Sequence, residues 1–435
     1  MKNKLKKISY IPKKISPENL FFVISIAGIL GFLVYAFIHS NTNTFDWLMM
    51  EHNGDWEFAD YFAHIFFGKD LTTTYNAFDV DPCFPPLAYL FYHFLYQINP
   101  GGDVIAGRID AMNYTYNMFL FIIYTVVTAV LFVYAVQFYN KKKGQDDNNG
   151  RNMLLTIVIL FSVPFFGSAI ERGNAVFLVC VLLLFAMAFR DSDNKVLREI
   201  ALLLIAVAAN FKLYPAIFGL LYIKEKRYKE AFRLMIYGGL MFIVPFIFFG
   251  GIEGIKDYIL IIYLMEGRSI ERLTTVRGVV TSIFMAIGGE AQKWTGHAVG
   301  QVVENIYLII ALLGFWVSKD KWKSLFLLVS PMVVYVSSAY RYTVVYLFLA
   351  MICFLKYMKD EKGNISTAEN KKNYIYAALY GLIFTIPIWA IKTELENYMY
   401  IVIYILLLMI IIDVVCEFIQ RKRCVKTLKE IDLTK

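Results

Sequence analysis

The chain has 435 residues, of which 58% are hydrophobic, 17% aromatic and only 18% charged, against about 25% charged in soluble proteins. Its mean hydropathy is +0.54, and its apolar runs repeatedly approach the roughly 20 residues that a helix needs to cross a bilayer. This composition predicts a polytopic membrane protein and excludes cytosolic enzymes, disordered scaffolds and nucleic-acid modules. In such a protein the positions of the charges, which sum to +8, indicate orientation.

The first apolar run, Leu20 to Ile38, follows a lysine-rich start and ends in His39-Ser40-Asn41, which offers no small-residue cleavage site. We therefore expect a retained signal anchor. The five cysteines form no C-x-x-C pair, so neither a disulfide framework nor a zinc site is predicted.

Strongly apolar runs recur along the whole chain and predict an all-α fold. They cover residues 20–38, 117–139, 153–168, 174–189, 200–223, 234–250, 300–318, 324–339, 342–355, 374–391 and 398–418. The run 200–223 is interrupted between Asn210 and Pro215, where proline breaks a helix. If this run crosses twice as a broken helix pair, the chain has about twelve membrane segments and both termini are cytoplasmic.

The distribution of basic residues supports that topology, because Lys and Arg accumulate in cytoplasmic loops. The predicted cytoplasmic segments contain 32 of the 43 Lys and Arg residues. These segments are 1–19, 140–152, 190–199, 224–233, 319–323, 356–372 and 417–435. A single straight crossing by 200–223 would place the basic segments 190–199 and 224–233 on opposite sides of the membrane, so the charges favour the broken pair.

The domain prediction is one integral membrane domain, 1–435, with two long external loops at 39–116 and 251–299 and a basic cytoplasmic tail at 419–435. The first loop is acidic before residue 86 and contains a twelve-residue apolar stretch, 87–98, which is too short to span. We expect amphipathic helices on the membrane surface in both loops, including one near 54–68 whose face presents Phe58, Phe62, Ile65 and Phe66.

Acidic residues of the first loop are candidates for proton transfer. Asp55 at the start of the predicted helix suits a general base that takes a proton from a sugar hydroxyl, although an acid at this position is more often a helix cap. Asp60 is a weaker candidate of the same kind. The Asp79-Val80-Asp81 pair resembles a cation-holding D-x-D element, but a short pattern in an acid-rich loop does not predict a metal site. No metal and no cofactor is predicted.

Three cations are candidates for binding an anionic substrate. Lys212 lies at membrane depth, which marks a functional site by default, although a snorkelling lysine is an alternative. Arg172 and Asn174, in an outer turn with Glu171 and Gly173, suit phosphate or sugar hydroxyls, or else form a plain turn with an internal Glu-Arg pair. Arg341 suits bidentate phosphate binding, or else anchors the chain at the interface between tyrosines.

The chain resembles the multi-span glycosyltransferases of the GT-C class, and most of all glycosyltransferase family 87. The resemblance rests on Asp55 followed by Tyr61, Gly68 and Tyr75, on Phe84-Pro85-Pro86-Leu87, on Gly173-Asn174 in place of a Gly-Gln turn, and on Lys212-Leu213-Tyr214-Pro215 before a basic loop. These motifs span about residues 20 to 235.

The resemblance implies a GT-C fold and an inverting transfer of a hexose, with mannose favoured, from a polyprenyl-phosphate donor to a lipid or glycan acceptor on the outer face of the cell membrane. Asp55 would be the general base. Substrate-binding residues would be Lys212, which helps to hold the phosphate, with Arg341, Arg172, Asn174, Asp60 and Tyr214. The apolar external helices would hold the polyprenyl tail.

Two alternatives remain open. A lipid-linked sugar flippase would also have intramembrane cations but would tolerate loss of Asp55. A polysaccharide polymerase or ligase would instead depend on the external arginines Arg268, Arg272 and Arg277.

Overall fold

The structure, a computed structural model, consists of helices joined by turns and short irregular segments in the part of the chain that it describes. The described residues are 15–39, 47–49, 58–76, 82–98, 108–113, 115–141, 149–265, 273–336, 340–360, 367–388 and 395–432. They contain α-helices with short 3-10 and π turns and no strand, so the prediction of an all-α fold is confirmed. The helices are α1 Pro17–Ile38, α2 Ala59–Phe67, α3 Pro86–Gln97, α4 Arg108–Asn113, α5 Thr115–Asn140, α6 Asn149–Leu160, α7 Val176–Phe189, α8 Lys195–Phe211, α9 Gly219–Lys224, α10 Tyr228–Ile243, α11 Ile252–Met265, α12 Val276–Gly288, α13 Lys293–Val317, α14 Lys321–Val329, α15 Pro331–Val334, α16 Leu347–Asp360, α17 Thr367–Ile383 and α18 Leu395–Asp432.

Six helical stretches within the described residues are long and apolar enough to cross a membrane, which makes this a multi-pass membrane protein. They are Pro17–Ile38, Thr115–Asn140, Tyr228–Phe249, Glu290–Val317, Arg341–Lys359 and Asn397–Lys422. The twelve segments expected from the sequence include shorter or interrupted helices, such as α7 and α8, that do not meet this length criterion, so the number twelve stays a prediction.

Polar contacts gather the described parts of the seven basic segments at one end of the molecule, which we call the basic end. The helices α5 and α7 finish there and α8 begins there, so the opposite ends of these helices lie together at the far side, which we call the site end. The linking contacts are Arg151 with Glu18, Lys356 with the Tyr139 carbonyl, Arg190 with Glu225, Lys224 with the Ser318 carbonyl, Lys323 with Glu417, and Lys372 with Asp413.

The helix break predicted between Asn210 and Pro215 is present, and the chain reverses there. The helix α8 ends at Phe211 because Pro215 has no N–H to donate to the carbonyl of residue 211, and Lys212 is extended with φ −144° and ψ 131°. A 3-10 turn and α9 then return the chain to the basic end, where Arg227 Nη1 lies 2.9 Å from Asp191 Oδ1. The basic segments on either side of the run therefore lie on one side, as their charges predict.

The expectation that the helix of residues 54–68 lies on the membrane surface is wrong for the part that is described, α2. Phe62 and Ile65 are 0% exposed, because α3 and α4 pack against this helix and Phe121 of α5 contacts Phe58 and Phe62. The apolar face that would have met lipid meets protein instead, and it fixes α2 in the interior of the site end.

Candidate functional site

The charged residues of the site end come from three separate parts of the chain. Asp60, in the first turn of α2, lies with its Oδ1 2.6 Å from Nη2 of Arg172, and its Oδ2 accepts a 2.5 Å hydrogen bond from Nδ2 of Asn174. The Asp60 side chain is 16% exposed and that of Arg172 is 12% exposed. The turn before α7 is therefore bonded to the start of α2. Arg172 pairs with Asp60 of that helix and is not part of a plain turn alone.

Glycine is required in this turn. Gly173 has φ +62°, and a Cβ atom at this position would lie 2.6 Å from Cβ of Tyr61. Two backbone bonds join the same segments, from Asp60 N to the Arg172 carbonyl and from Phe58 N to the Glu171 carbonyl. The close approach of turn and helix places both oxygens of Asp60 within reach of their partners.

The surroundings of Asp60 favour its charged form. Burial raises the pKa of the Asp60 carboxyl, but the Arg172 guanidinium, the Asn174 amide and nearby His64 together lower it below its ordinary value of 3.8. Asp60 is therefore an ionised acid whose oxygens are already bonded, which suits a positioning role better than that of a general base.

Lys212 is buried at the break between α8 and the turn that follows it, with 9% of the residue exposed. Its Nζ lies 3.7 Å from the centre of the Phe84 ring and 5.9 Å from that of Tyr342. Within the described residues, Nζ makes these cation–π contacts but no hydrogen bond or ion pair. Aromatic faces stabilise an ammonium while leaving its N–H groups available to an anion.

His64 is a member of the site that the sequence did not single out. It is buried, its Nδ1 lies 3.1 Å from the Tyr89 hydroxyl, and its ring is 3.7 Å from that of Phe84. Burial lowers the pKa of His64 to about 3; the Asp60 carboxylate opposes this shift, and the charges of Lys212 and Arg172 add to it. The sequence signal that could have identified His64 is its spacing of four residues from Asp60, which puts both on one helix face.

Arg341 is held by the protein itself. Its Nε donates to Oγ of Ser168 at 2.8 Å, and its Nη2 donates to the carbonyls of Gly167 at 2.6 Å and Leu48 at 3.0 Å. These bonds tie the chain near residue 48 to the π turn at 165–170. The geometry fits a positioning role for Arg341 near the site. The next residue, Tyr342, has its ring centre 5.9 Å from Nζ of Lys212.

Tyr214 follows the lysine in the same break. Its hydroxyl lies 3.4 Å from that of Tyr346, and the two rings are 5.5 Å apart in an edge-to-face arrangement. Tyr214 is half-buried, so it lies at the border of the aromatic cluster around Lys212, which contains Phe84 and Tyr342.

Several predicted residues lie outside the described part of the chain: Asp55, the Asp79–Asp81 pair, Arg268 and Arg272. Among the residues that are described, no three His, Cys, Asp or Glu side chains are grouped closely enough to hold a metal ion.

An apolar groove of about 730 Å³ lies beside this site, between α8, α9 and α10. Its lining extends from Leu213, next to Lys212, to Ile223 and Tyr228 at the basic end. Asn210, a polar residue of this lining, donates its Nδ2 to the carbonyls of Ala206 and Gly238. The groove therefore presents an almost entirely hydrocarbon surface along most of the length of α10.

The fold defines a multi-pass α-helical membrane protein with a buried cationic site at the end opposite its basic segments. Residues 84–338 match the model of glycosyltransferase family 87; because this is more than half of the chain, the protein belongs to that family and is a membrane glycosyltransferase. The match contains Phe84, Arg172, Asn174 and Lys212, whereas Asp60 and His64 precede it and Arg341 follows it. No curated protein and no solved structure matches the chain.

Proposed function

We propose that this glycosyltransferase transfers a hexose, with mannose favoured, from a polyprenyl-phosphate donor to a lipid or glycan acceptor with inversion. The observation that carries the proposal is the environment of Lys212, a buried ammonium with aromatic partners and, among the described residues, no carboxylate bound to it. A cation held in this way is suited to bind a phosphate that gains negative charge during the reaction.

In the proposed reaction, Asp55 removes the proton from an acceptor hydroxyl as its oxygen bonds to the anomeric carbon of the donor. The bond between that carbon and the phosphate oxygen breaks, and polyprenyl phosphate leaves with the bonding electrons. Lys212 stabilises the charge that develops on the phosphate, so it binds the transition state more tightly than the donor. Asp60, Arg172 and Asn174 hold α2, which follows Asp55 in the chain, against the core.

We also propose a twelve-segment topology with both termini in the cytoplasm and the site facing outward, within a GT-C fold. The gathering of the described parts of the seven basic segments at one end supports this orientation, because basic loops remain on the cytoplasmic side. An outward-facing site requires a lipid-carried sugar, since nucleotide sugars are absent there.

The polymerase or ligase alternative is less well supported than the transferase. Its proposed centre includes Arg277, and Nε of Arg277 is 2.6 Å from Oε2 of Glu304, which is 1% exposed. Because the Arg277 guanidinium is paired with this buried carboxylate, its role is to hold α12 against α13.

The first test measures sugar transfer by purified protein in lipid nanodiscs, with a panel of polyprenyl-phosphate hexoses, bacterial lipid extract as acceptor and mass spectrometry as readout. We expect Asp55→Asn to lower the rate by about 10²–10⁴-fold, the contribution of a general base, and Lys212→Met to lower it by about 10²–10³-fold. Matched controls are Asp70→Asn, an exposed acid of the same loop that bonds to Thr72, and Lys256→Met, an exposed lysine paired with Glu253.

Transfer that is lost in the two site variants and kept in the two controls supports the proposal and identifies the sugar. Lack of transfer by the wild type from every donor contradicts the proposed donor class. Equal transfer by the wild type and Asp55→Asn removes Asp55 from the role of base.

A further inference from the structure

Two consecutive glycines in the middle of α10 line the apolar groove. Gly238 and Gly239 are the eleventh and twelfth residues of a sixteen-residue helix. A glycine inside a helix costs about 0.5–1 kcal/mol relative to alanine. Such a cost is commonly offset where a helix packs tightly against a neighbour, as at Gly300 of α13, where an added Cβ would lie 2.7 Å from the Arg277 carbonyl.

Gly238 and Gly239 have no such packing reason. A Cβ atom built at either position meets no heavy atom within 4 Å. The opposite wall is also built of small residues, including Ala206, Ala209 and Gly219. The small side chains therefore keep a channel open between α8 and α10 at the expense of helix stability.

The position of the groove indicates its occupant. One end begins at Leu213, which is 43% exposed and adjoins Lys212 in the chain. The break after α8 thus presents an ammonium toward the site and an apolar side chain toward the groove. A lipid phosphate matches both features, with its anion at Lys212 and its hydrocarbon chain packed along α10.

We propose that this groove binds the hydrocarbon chain of the lipid-phosphate donor and that Gly238 and Gly239 determine which chains are accepted. This inference rests on the proposed function and moves the tail from the external helices, where the sequence suggested it, to the face between α8 and α10. A long chain makes van der Waals contacts along the whole groove that a short chain cannot make, and in a bilayer this packing, not escape from water, favours the bound chain.

The test compares two donors that carry the same sugar phosphate on a farnesyl or an undecaprenyl chain. For the wild type we expect kcat/KM to be at least about tenfold higher with the undecaprenyl donor, a difference of about 1.4 kcal/mol in binding. The double substitution Gly238→Leu and Gly239→Leu adds side chains whose Cβ atoms meet no heavy atom within 4 Å, and it replaces glycine with a better helix former. It should remove the preference, so that kcat/KM with the undecaprenyl donor falls to the value with the farnesyl donor.

The matched control is Gly150→Leu, because an added Cβ at Gly150 on α6 also meets nothing within 4 Å. This variant should retain the wild-type preference for the long chain. An undecaprenyl preference that survives in the double variant, or an equal loss with both donors, overturns the proposal.

A measurement without catalysis separates this inference from the proposed function. A diazirine-bearing undecaprenyl phosphate should photolabel peptides within 205–242 of the wild type, and unlabelled undecaprenyl phosphate should compete while phosphatidylglycerol should not. The double variant should lose this labelling. If labelling behaves so but no sugar is transferred, the groove stands and the proposed reaction fails. Equal competition by phosphatidylglycerol means that the groove holds ordinary bilayer chains, and the inference fails.

Discussion

A carboxylate acts as a general base only when an oxygen is free to accept the proton of the acceptor. Both oxygens of Asp60 are bonded, one to Arg172 and the other to Asn174, and its lowered pKa makes it a weaker base. Asp60 therefore fits the role of an acid that holds α2 in place. Asp55 therefore remains the proposed base, and Asp60, five residues later, has a positioning role.

His64 makes the stability of the site end sensitive to pH. Burial lowers the pKa of His64 to about 3 from an ordinary value of 6.5, and Asp60, Lys212 and Arg172 are the charges nearby. Between these two pH values the unfolded chain binds a proton that the folded chain does not. The free energy of unfolding should therefore fall as pH decreases below about 6.5, by up to about 1.4 kcal/mol per pH unit.

We expect thermal melts of the purified protein to show this decline between about pH 7 and pH 5, and His64→Gln to reduce its slope. The lowered pKa of Asp60 does not contribute in this range, because its stabilisation is lost only as pH falls below 3.8. His39→Gln, at an exposed histidine that ends α1, is the matched control and should keep the wild-type slope. An unchanged slope in His64→Gln would show that the histidine titrates normally.

At the scale of elements, the joint between α2 and the turn 171–174 depends on Gly173. We predict that Gly173→Ala destabilises the protein by about 1–3 kcal/mol, because the residue would be strained at φ +62° and its Cβ would approach Tyr61 too closely. Thermal unfolding in detergent measures the loss. Gly150→Ala, at a site with open space, should not lower the midpoint, and equal midpoints for the two variants would contradict the importance of this joint.

The elements also show which predictions the sequence supports. The break before Pro215 was predictable because its cause is local: one residue lacks an N–H and its ring obstructs the preceding turn. The burial of α2 was not predictable, because an apolar helix face has the same pattern whether it meets lipid or protein. The partners of Asp60 and Lys212 were not predictable either, since Arg172 and Phe84 are more than a hundred residues away in the chain.

For the whole molecule, counting charges was more informative than measuring helix length. Six stretches meet the length criterion for a span, whereas the contacts of Arg190 with Glu225 and Lys323 with Glu417 bring together segments that the charges alone had placed on one side. Charge patterns predict sidedness because the cost of moving basic loops across a membrane does not depend on the shape of the helices. The site, in contrast, depends on tertiary packing at the other end.

Sidedness yields the final prediction, which cysteine labelling tests in a variant whose five native cysteines are replaced. Thr72→Cys, at an exposed position near α2, should react with an impermeant maleimide on intact cells. Lys195→Cys and Lys229→Cys, both exposed, should react only after permeabilisation, because the reversal after α8 puts them on the cytoplasmic side. Labelling of only one of these two lysine variants on intact cells would mean that residues 200–223 cross the membrane once. Labelling of both, with Thr72→Cys protected, would mean that the site faces inward. Nucleotide sugars would then be the expected donors.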